Sequence, residues 1–252
     1  MYVSVGKTPL QFLVSYSNVV SNFQHATHVT MSAHKLLSRI MAPSLHDEEM
    51  KHDHTYGITS DPLTQFAVVL AALIHDVDHR GVPNEEPMKE DKCLSRVYHN
   101  KSVAEQNSVD VAWKALLSDE FEDFRSTIFT DEVELKRFRQ LLVNSVIATD
   151  IFDREQSAMR RNRWARAFAE FKYRDVSTDE ESVFTDNNRK ATIVIEHIIQ
   201  ASDVSHTMQH WAVYQKWSEH LFQEKYEAYI NGRADNDPAE GWYEGELWFY
   251  DN

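Results

Sequence analysis

The 252-residue chain holds 26 Lys plus Arg against 40 Asp plus Glu, a formal charge of −14 at pH 7, and only 6 Gly and 6 Pro. So few turn formers argue against a β-sandwich or propeller and for long helices; so acidic a chain argues against general binding of nucleic acid or anionic membrane, which needs a surplus of cations. A lone cysteine, Cys93, cannot close an internal disulfide, and the longest apolar run, Phe66 to Ile74, is too short to span a bilayer. With no basic start and no small-residue cleavage pattern at the N-terminus, a cytoplasmic location is expected, for this chain or for a larger protein of which it is the cytosolic part.

No repeat, low-complexity stretch or Gly/Ser/Pro-rich linker divides the chain. Asn22 to Met41 has helical spacing, with Val29, Leu36, Leu37 and Ile40 on the inner side and Pro43 as a stop. Asp61-Pro62 is an N-cap followed by proline at the first helical position, and Phe66 to Ile74 then predicts a helix buried on most sides. Gly81 and Pro83 end that element. Ser102 to Leu117, Asp131 to Phe152 and Arg154 to Phe171 each carry apolar residues three or four apart. Asp175 to Thr185 is acidic and without period, which predicts a surface loop. Asn187 to Ser205 is a helix with Ile193, Val194, Ile198 and Ile199 inward and Glu196, Gln200 and Asp203 elsewhere; Met208 to Asn231 is the last long one. No segment has a period of two between turn residues, so the expected fold is all-α. The basic run Arg160-Arg161-Asn162-Arg163 reads as a solvated helical stripe, and Trp211, Tyr214, Trp217 and Phe222, at helical spacing, read as core.

The 13 histidines carry the chemistry. His75-Asp76-Val77-Asp78-His79 follows directly on the most apolar helix, where several ionisable groups are costly unless compensated. A hydrogen-bonded cap would do this; so would a metal, since imidazole and carboxylate are ligands for zinc, iron and manganese. Neighbours on a helix point about 100° apart, so His75 and Asp76 can share an ion only at a helix end, where they stand. Upstream, His25, His28 and His34 lie on one predicted helix, with His25 and His28 sharing a face. Downstream, Asp203 interrupts an apolar pattern near the end of its helix. A first His, a His-Asp pair and a late Asp on separate helices have the order of a metal-dependent phosphohydrolase site.

Five segments in order, Asn22 to Val29, His75 to Val82, Ser102-Val103-Ala104-Glu105, Ala148-Thr149-Asp150 and Ala201 to Ser205, resemble the catalytic domain of class I 3′,5′-cyclic nucleotide phosphodiesterases. The resemblance covers roughly residues 18 to 251. It implies a compact all-helical domain of the HD-type phosphohydrolase kind, with two divalent metal ions at the base of a pocket and cyclic AMP, cyclic GMP or both as substrate. By position, His25, His75, Asp76 and Asp203 would hold the first ion, usually Zn2+, and Asp76 would bridge to the second, commonly Mg2+ or Mn2+. His79, Glu105 and Thr149 would orient the waters of those ions. Phe249 fits the base-stacking position, Glu246 stands where most members have Gln, and His206 where many have Asn. Flanking regulatory domains are compatible with this reading.

One departure matters. The family places its proton-donating His four residues before the first metal His, and that position is Ser21 here. A serine hydroxyl is a poor acid near neutral pH. Three explanations compete: a weakened enzyme whose proton comes from a metal-bound water, a binding-only or regulatory descendant, or a segment 1–21 that is not the true upstream sequence. The third is preferred, because the resemblance begins abruptly at Asn22. The expected organisation is therefore a segment of undetermined origin, 1–21, and a catalytic domain, 22–252, lacking its C-terminal helices.

Overall fold

Helices and turns, with no strand, make up residues 23–41, 47–168 and 180–251, which the computed structural model describes. The helices are α1 (Phe23–Met41), α2 (Glu48–His54), α3 (Pro62–Ile74), α4 (Glu85–Glu90), α5 (Lys92–Val97), α6 (Val103–Leu116), α7 (Glu122–Ile128), α8 (Glu132–Ile147), α9 (Arg154–Phe168), α10 (Glu180–Asp203), α11 (Trp211–Ile230) and α12 (Trp242–Asp251). The all-α expectation holds across them, and no described helix is long and apolar enough to cross a membrane.

The central element is α3. Asp61 caps it by accepting from the Thr64 amide at 3.1 Å, and Pro62 occupies the first turn, where its missing N–H costs nothing. Arg137 of α8 pairs with the same Asp61 carboxylate. Ala67, Ala71 and Ala72 let neighbouring helices approach α3 closely. One core joins them to Val29 and Ala33 of α1, Val109, Ala112 and Leu116 of α6, Phe138, Leu142 and Val146 of α8, and Ile199 of α10. A second cluster joins Leu37 of α1 and Val68 of α3 to Ile195 and Ile198 of α10. Packed in this way, α1, α3 and α10 are locked side by side, with the first turn of α1 beside the last turns of the other two.

Several expectations need correction. α8 ends at Ile147, not Phe152: the Thr149 amide bonds Val146 O and the Asp153 amide bonds the Asp150 carboxylate, so the chain turns before α9. α10 begins at Glu180, so residues 180–185 are helical and not loop; the pairs of Asp186 with Arg189 and Lys190, one turn on, support that extension. Residues 175–179 lie outside the described residues. Glu196 faces inward, 7% exposed, because Arg163 of α9 grips its carboxylate at 3.0 and 3.1 Å. Arg160 is likewise buried, donating to the Asp150 carbonyl at 2.8 Å, so the basic run is only partly a solvated stripe. Trp211 is 63% exposed, and Trp217 faces a group of histidines rather than the apolar core.

Candidate active site

Three helix ends supply one cluster: His25 from the first turn of α1, His75 and Asp76 from the end of α3, and Asp203 from the last position of α10. Asp203 Oδ1 lies 3.0 Å from His25 Nε2 and 3.3 Å from His75 Nε2; Asp76 Oδ2 lies 3.8 and 3.3 Å from the same two nitrogens. Donor atoms of His25, His75 and Asp76 all fall within 4.8 Å of one another. Two of these helices point their C-termini at the cluster, and the partial negative charge there adds to that of the carboxylates. Such a place favours a cation.

His75 tests whether these residues suit a metal. Its Nδ1 lies 2.9 Å from the Ala72 carbonyl, an atom that can only accept. The proton therefore sits on Nδ1, and the lone pair of Nε2 is aimed into the cluster. Nε2 is fully buried and, among the described residues, has no hydrogen-bond partner, its approaches to the two carboxylates at 3.3 Å lacking hydrogen-bonding geometry. A buried imidazole nitrogen with no partner beside two carboxylates and a second imidazole is a donor set for zinc or a similar ion. The same field acts on protons. Burial pushes the His75 imidazole down, but the Asp76 and Asp203 carboxylates outweigh it and hold it well above its ordinary value. Burial likewise pushes both carboxyls up, and His75 foremost draws each well below the usual carboxylate range.

His79 closes the loop after α3, its Nδ1 accepting from the Gly81 amide at 3.1 Å, close enough for its charge to be felt at Asp76 and at Glu105. That loop is pinned from α6: Ser108 donates to the Val77 carbonyl at 2.7 Å, and Asn107 donates to Asp78, which holds a left-handed φ of 60°. Glu105 stands in the first turn of α6, where burial and then the charge of Asp150 raise its carboxyl. Thr149 points elsewhere, its hydroxyl donating back to Val146 O at 2.7 Å. His206 follows Asp203 in a short helical turn, its ring centroid 6.2 Å from that of His25. Burial, and then His25, lower it. Glu246 and Phe249 lie on α12, which rests on α11 through Phe222 against Trp242 and through Ser218, whose hydroxyl donates to Glu246 Oε1 at 2.6 Å. Ser21 lies outside the described residues.

The fold places further residues around the cluster. Trp217 covers the imidazole group, with centroids 5.7, 5.5 and 6.0 Å from His25, His28 and His206. His28 Nε2 meets Ser205 Oγ at 3.1 Å, and Ser205 meets Ser32 at 2.8 Å. Ser102 and Glu105 have the spacing of a capping box, a signal legible in the sequence but misleading. The Ser102 hydroxyl goes to Asp150 instead, and Asn84 takes over both the helix amide and Glu105.

A sequence profile of the 3′5′-cyclic nucleotide phosphodiesterase family matches residues 21–239, a span that includes the four clustered residues and stops before Glu246. The probable 3′,5′-cyclic-AMP phosphodiesterase pde-4 of Caenorhabditis elegans is 28% identical over 82% of this chain. The dual specificity calcium/calmodulin-dependent 3′,5′-cyclic nucleotide phosphodiesterase 1B of Homo sapiens is 25% identical over 88% of it. The matched regions make up 27% and 37% of those two proteins, so the chain spans well under half of each. Among solved structures, the phosphodiesterase domain of Salpingoeca rosetta rhodopsin phosphodiesterase superposes with a TM-score of 0.63 at 21% identity, covering 95% of this chain and 67% of that one. That likeness shows the fold.

Proposed function

Because the chain belongs to the 3′,5′-cyclic nucleotide phosphodiesterase family, we propose that it hydrolyses cyclic AMP, cyclic GMP or both to the 5′-nucleoside monophosphate with the help of divalent metal ions. The observation that carries the reading is the junction of three helices at His25, His75, Asp76 and Asp203, with the partnerless Nε2 of His75 buried at its centre.

In this reading those four residues would hold the first ion, zinc by the chemistry of two imidazoles and two carboxylates, and Asp76 would also serve a second, Mg2+ or Mn2+. Bound there, the ions would offset the charge of the phosphodiester and lower the pKa of water towards neutrality. The chain's own groups do the rest. His75 keeps one tautomer through Ala72, and the Ser108 and Asn107 clasps fix the loop that joins Asp76 to His79. His79 and Glu105 orient water, while Thr149 keeps its hydroxyl on the Val146 carbonyl. In the reaction a P–O bond to water forms, the P–O3′ bond breaks, and O3′ takes up one proton. Phe249 offers a ring on which a purine stacks. Glu246, with Oε1 engaged by Ser218, presents acceptors only, which suit an exocyclic amino group and not guanine O6.

Ser21 favours a second reading, a catalytically impaired module that binds cyclic nucleotides and regulates without turning them over. Incubating the chain with cyclic AMP or cyclic GMP and Mg2+, and measuring 5′-monophosphate, separates the two. Product that disappears with chelator and in His75→Ala supports the enzyme. Saturable nucleotide binding with no product supports the module, and neither binding nor product rejects both.

A further inference from the structure

A second polar group, partly buried and shared by four segments, is tied to the histidine cluster by His79, whose charge is felt at both Asp76 and Glu105. Asn84, at the start of α4, has both ends of its amide committed. Its Oδ1 accepts from the Ala104 backbone N–H at 2.8 Å, and its Nδ2 donates to Glu105 Oε2 at 3.0 Å and to Asp150 Oδ2 at 3.3 Å. The orientation is unambiguous, because an N–H faces one end and two carboxylates face the other. Asp150, 6% exposed, also accepts from Ser102, which holds a left-handed φ of 39° and is itself 4% exposed. Gln156 of α9 closes the group by donating to Ser102 Oγ at 3.0 Å.

Two carboxylates side by side, Asp150 buried and Glu105 partly so, repel each other unless donors or cations stand between them. Asparagine suits that place alone among short side chains. Its two amide protons serve the two carboxylates while its oxygen satisfies the first turn of α6; aspartate could do only the second, and serine only part of either. We propose that Asn84 is a positioning residue: its amide holds the Glu105 carboxyl against Asp150 and so sets the pH above which the site takes up a divalent ion.

The groups facing Glu105 agree with this. Burial, and then Asp150 from the turn before α9, raise its carboxyl, while Asn84 first, then the Glu105 backbone amide and His79 from the loop after α3, oppose that rise; Arg160 meets Asp150 at its backbone carbonyl, and Asp153 stands beyond it. The proposal rests on the phosphodiesterase reading for the reaction served, but its test needs no turnover.

Bound Mn2+ is counted by electron paramagnetic resonance against pH in the chelator-stripped chain, for wild type, Asn84→Asp, Glu105→Gln and the double variant. Asn84→Asp keeps an acceptor for the Ala104 amide and turns the donor end into a third carboxylate. The midpoint for Mn2+ uptake should rise by about 0.5 pH unit or more, and by less than half as much when Glu105 is already Gln. Should the aspartate variant not fold, Asn84→Ser, with one donor in place of two, should move the midpoint the same way. Superimposable curves for wild type and Asn84 variants, or equal shifts with and without Glu105, would overturn the proposal and leave Asn84 a helix cap. Absence of hydrolysis by the wild type would sink the phosphodiesterase reading and leave this result standing.

Discussion

Asp203→Asn is the sharpest test of the metal centre. Asparagine fills the same volume and keeps an oxygen where Oδ1 meets the two imidazoles at 3.0 and 3.3 Å, but it removes one of two carboxylate charges from a buried donor set. Loss of a charged ligand should weaken zinc about 100-fold or more, given that even supporting partners are worth 10–100-fold. With free zinc buffered at about 100 times the wild-type Kd, the wild type gains about 2.7 kcal/mol, and the variant, now near its own Kd, gains about 0.4 kcal/mol. A chain of 252 residues unfolds with an entropy of about 0.5 kcal/mol/K. Zinc should therefore raise Tm by about 5 °C in the wild type and by under about 1 °C in the variant, each measured against its own chelator-stripped sample. The comparison is internal to each protein, so a change in metal-free stability does not confuse it. Equal zinc-dependent shifts in the two would refute the assignment of Asp203 as a ligand.

Ser21→His should raise kcat at least tenfold at equal metal occupancy, since a placed general acid contributes ~10²–10⁴-fold; unchanged turnover removes the proton-donor argument. Glu246→Gln should raise the ratio of cyclic GMP to cyclic AMP kcat/KM about fivefold or more by adding a donor for guanine O6, and an unmoved ratio would take Glu246 out of base recognition. Asp61 has its carboxyl raised by burial but lowered further by Thr64 and Arg137, the net direction being down. Its stabilisation is thus present above about pH 4 and lost as pH falls through the depressed folded value. Asp61→Ala should cost about 1 kcal/mol near neutrality, from the lost cap and a half-exposed ion pair, and stability curves of the two proteins should converge in acid; a gap that persists there would contradict the linkage. Phe138→Ala empties a fully buried site where Phe66, Trp113 and Phe129 meet the ring. Urea unfolding should show a loss of about 3–5 kcal/mol, and a loss below about 1.5 would mean those helices do not pack there.

Local chemistry wrote much of this protein into its sequence. Scarce Gly and Pro, apolar residues three and four apart, and the Asp61-Pro62 start specify α1, α3, α6 and α8 to within a few residues, because each depends on neighbours within a turn or two. His75 and Asp76 stood out for a similar reason: ionisable groups at the end of an apolar helix need a compensating partner, and that need shows in one dimension, whereas His25 was singled out from His28 and His34 only by the family resemblance, and packing brings it to Asp203. Other choices were settled only by contacts between segments far apart in the chain. Glu196 turned inward because Arg163 waited across the α9–α10 contact, and Trp217 left the core for the imidazoles because α11 meets the first turns of α1 at His25, His28 and Gln24. Ser102 and Glu105 carry the spacing of a self-contained cap, yet Asn84, some twenty residues upstream, and Asp150, some fifty downstream, offered them buried partners. A hydrogen bond in the dry interior outweighs a local one at the surface, and which partners arrive there is decided by how the helices pack.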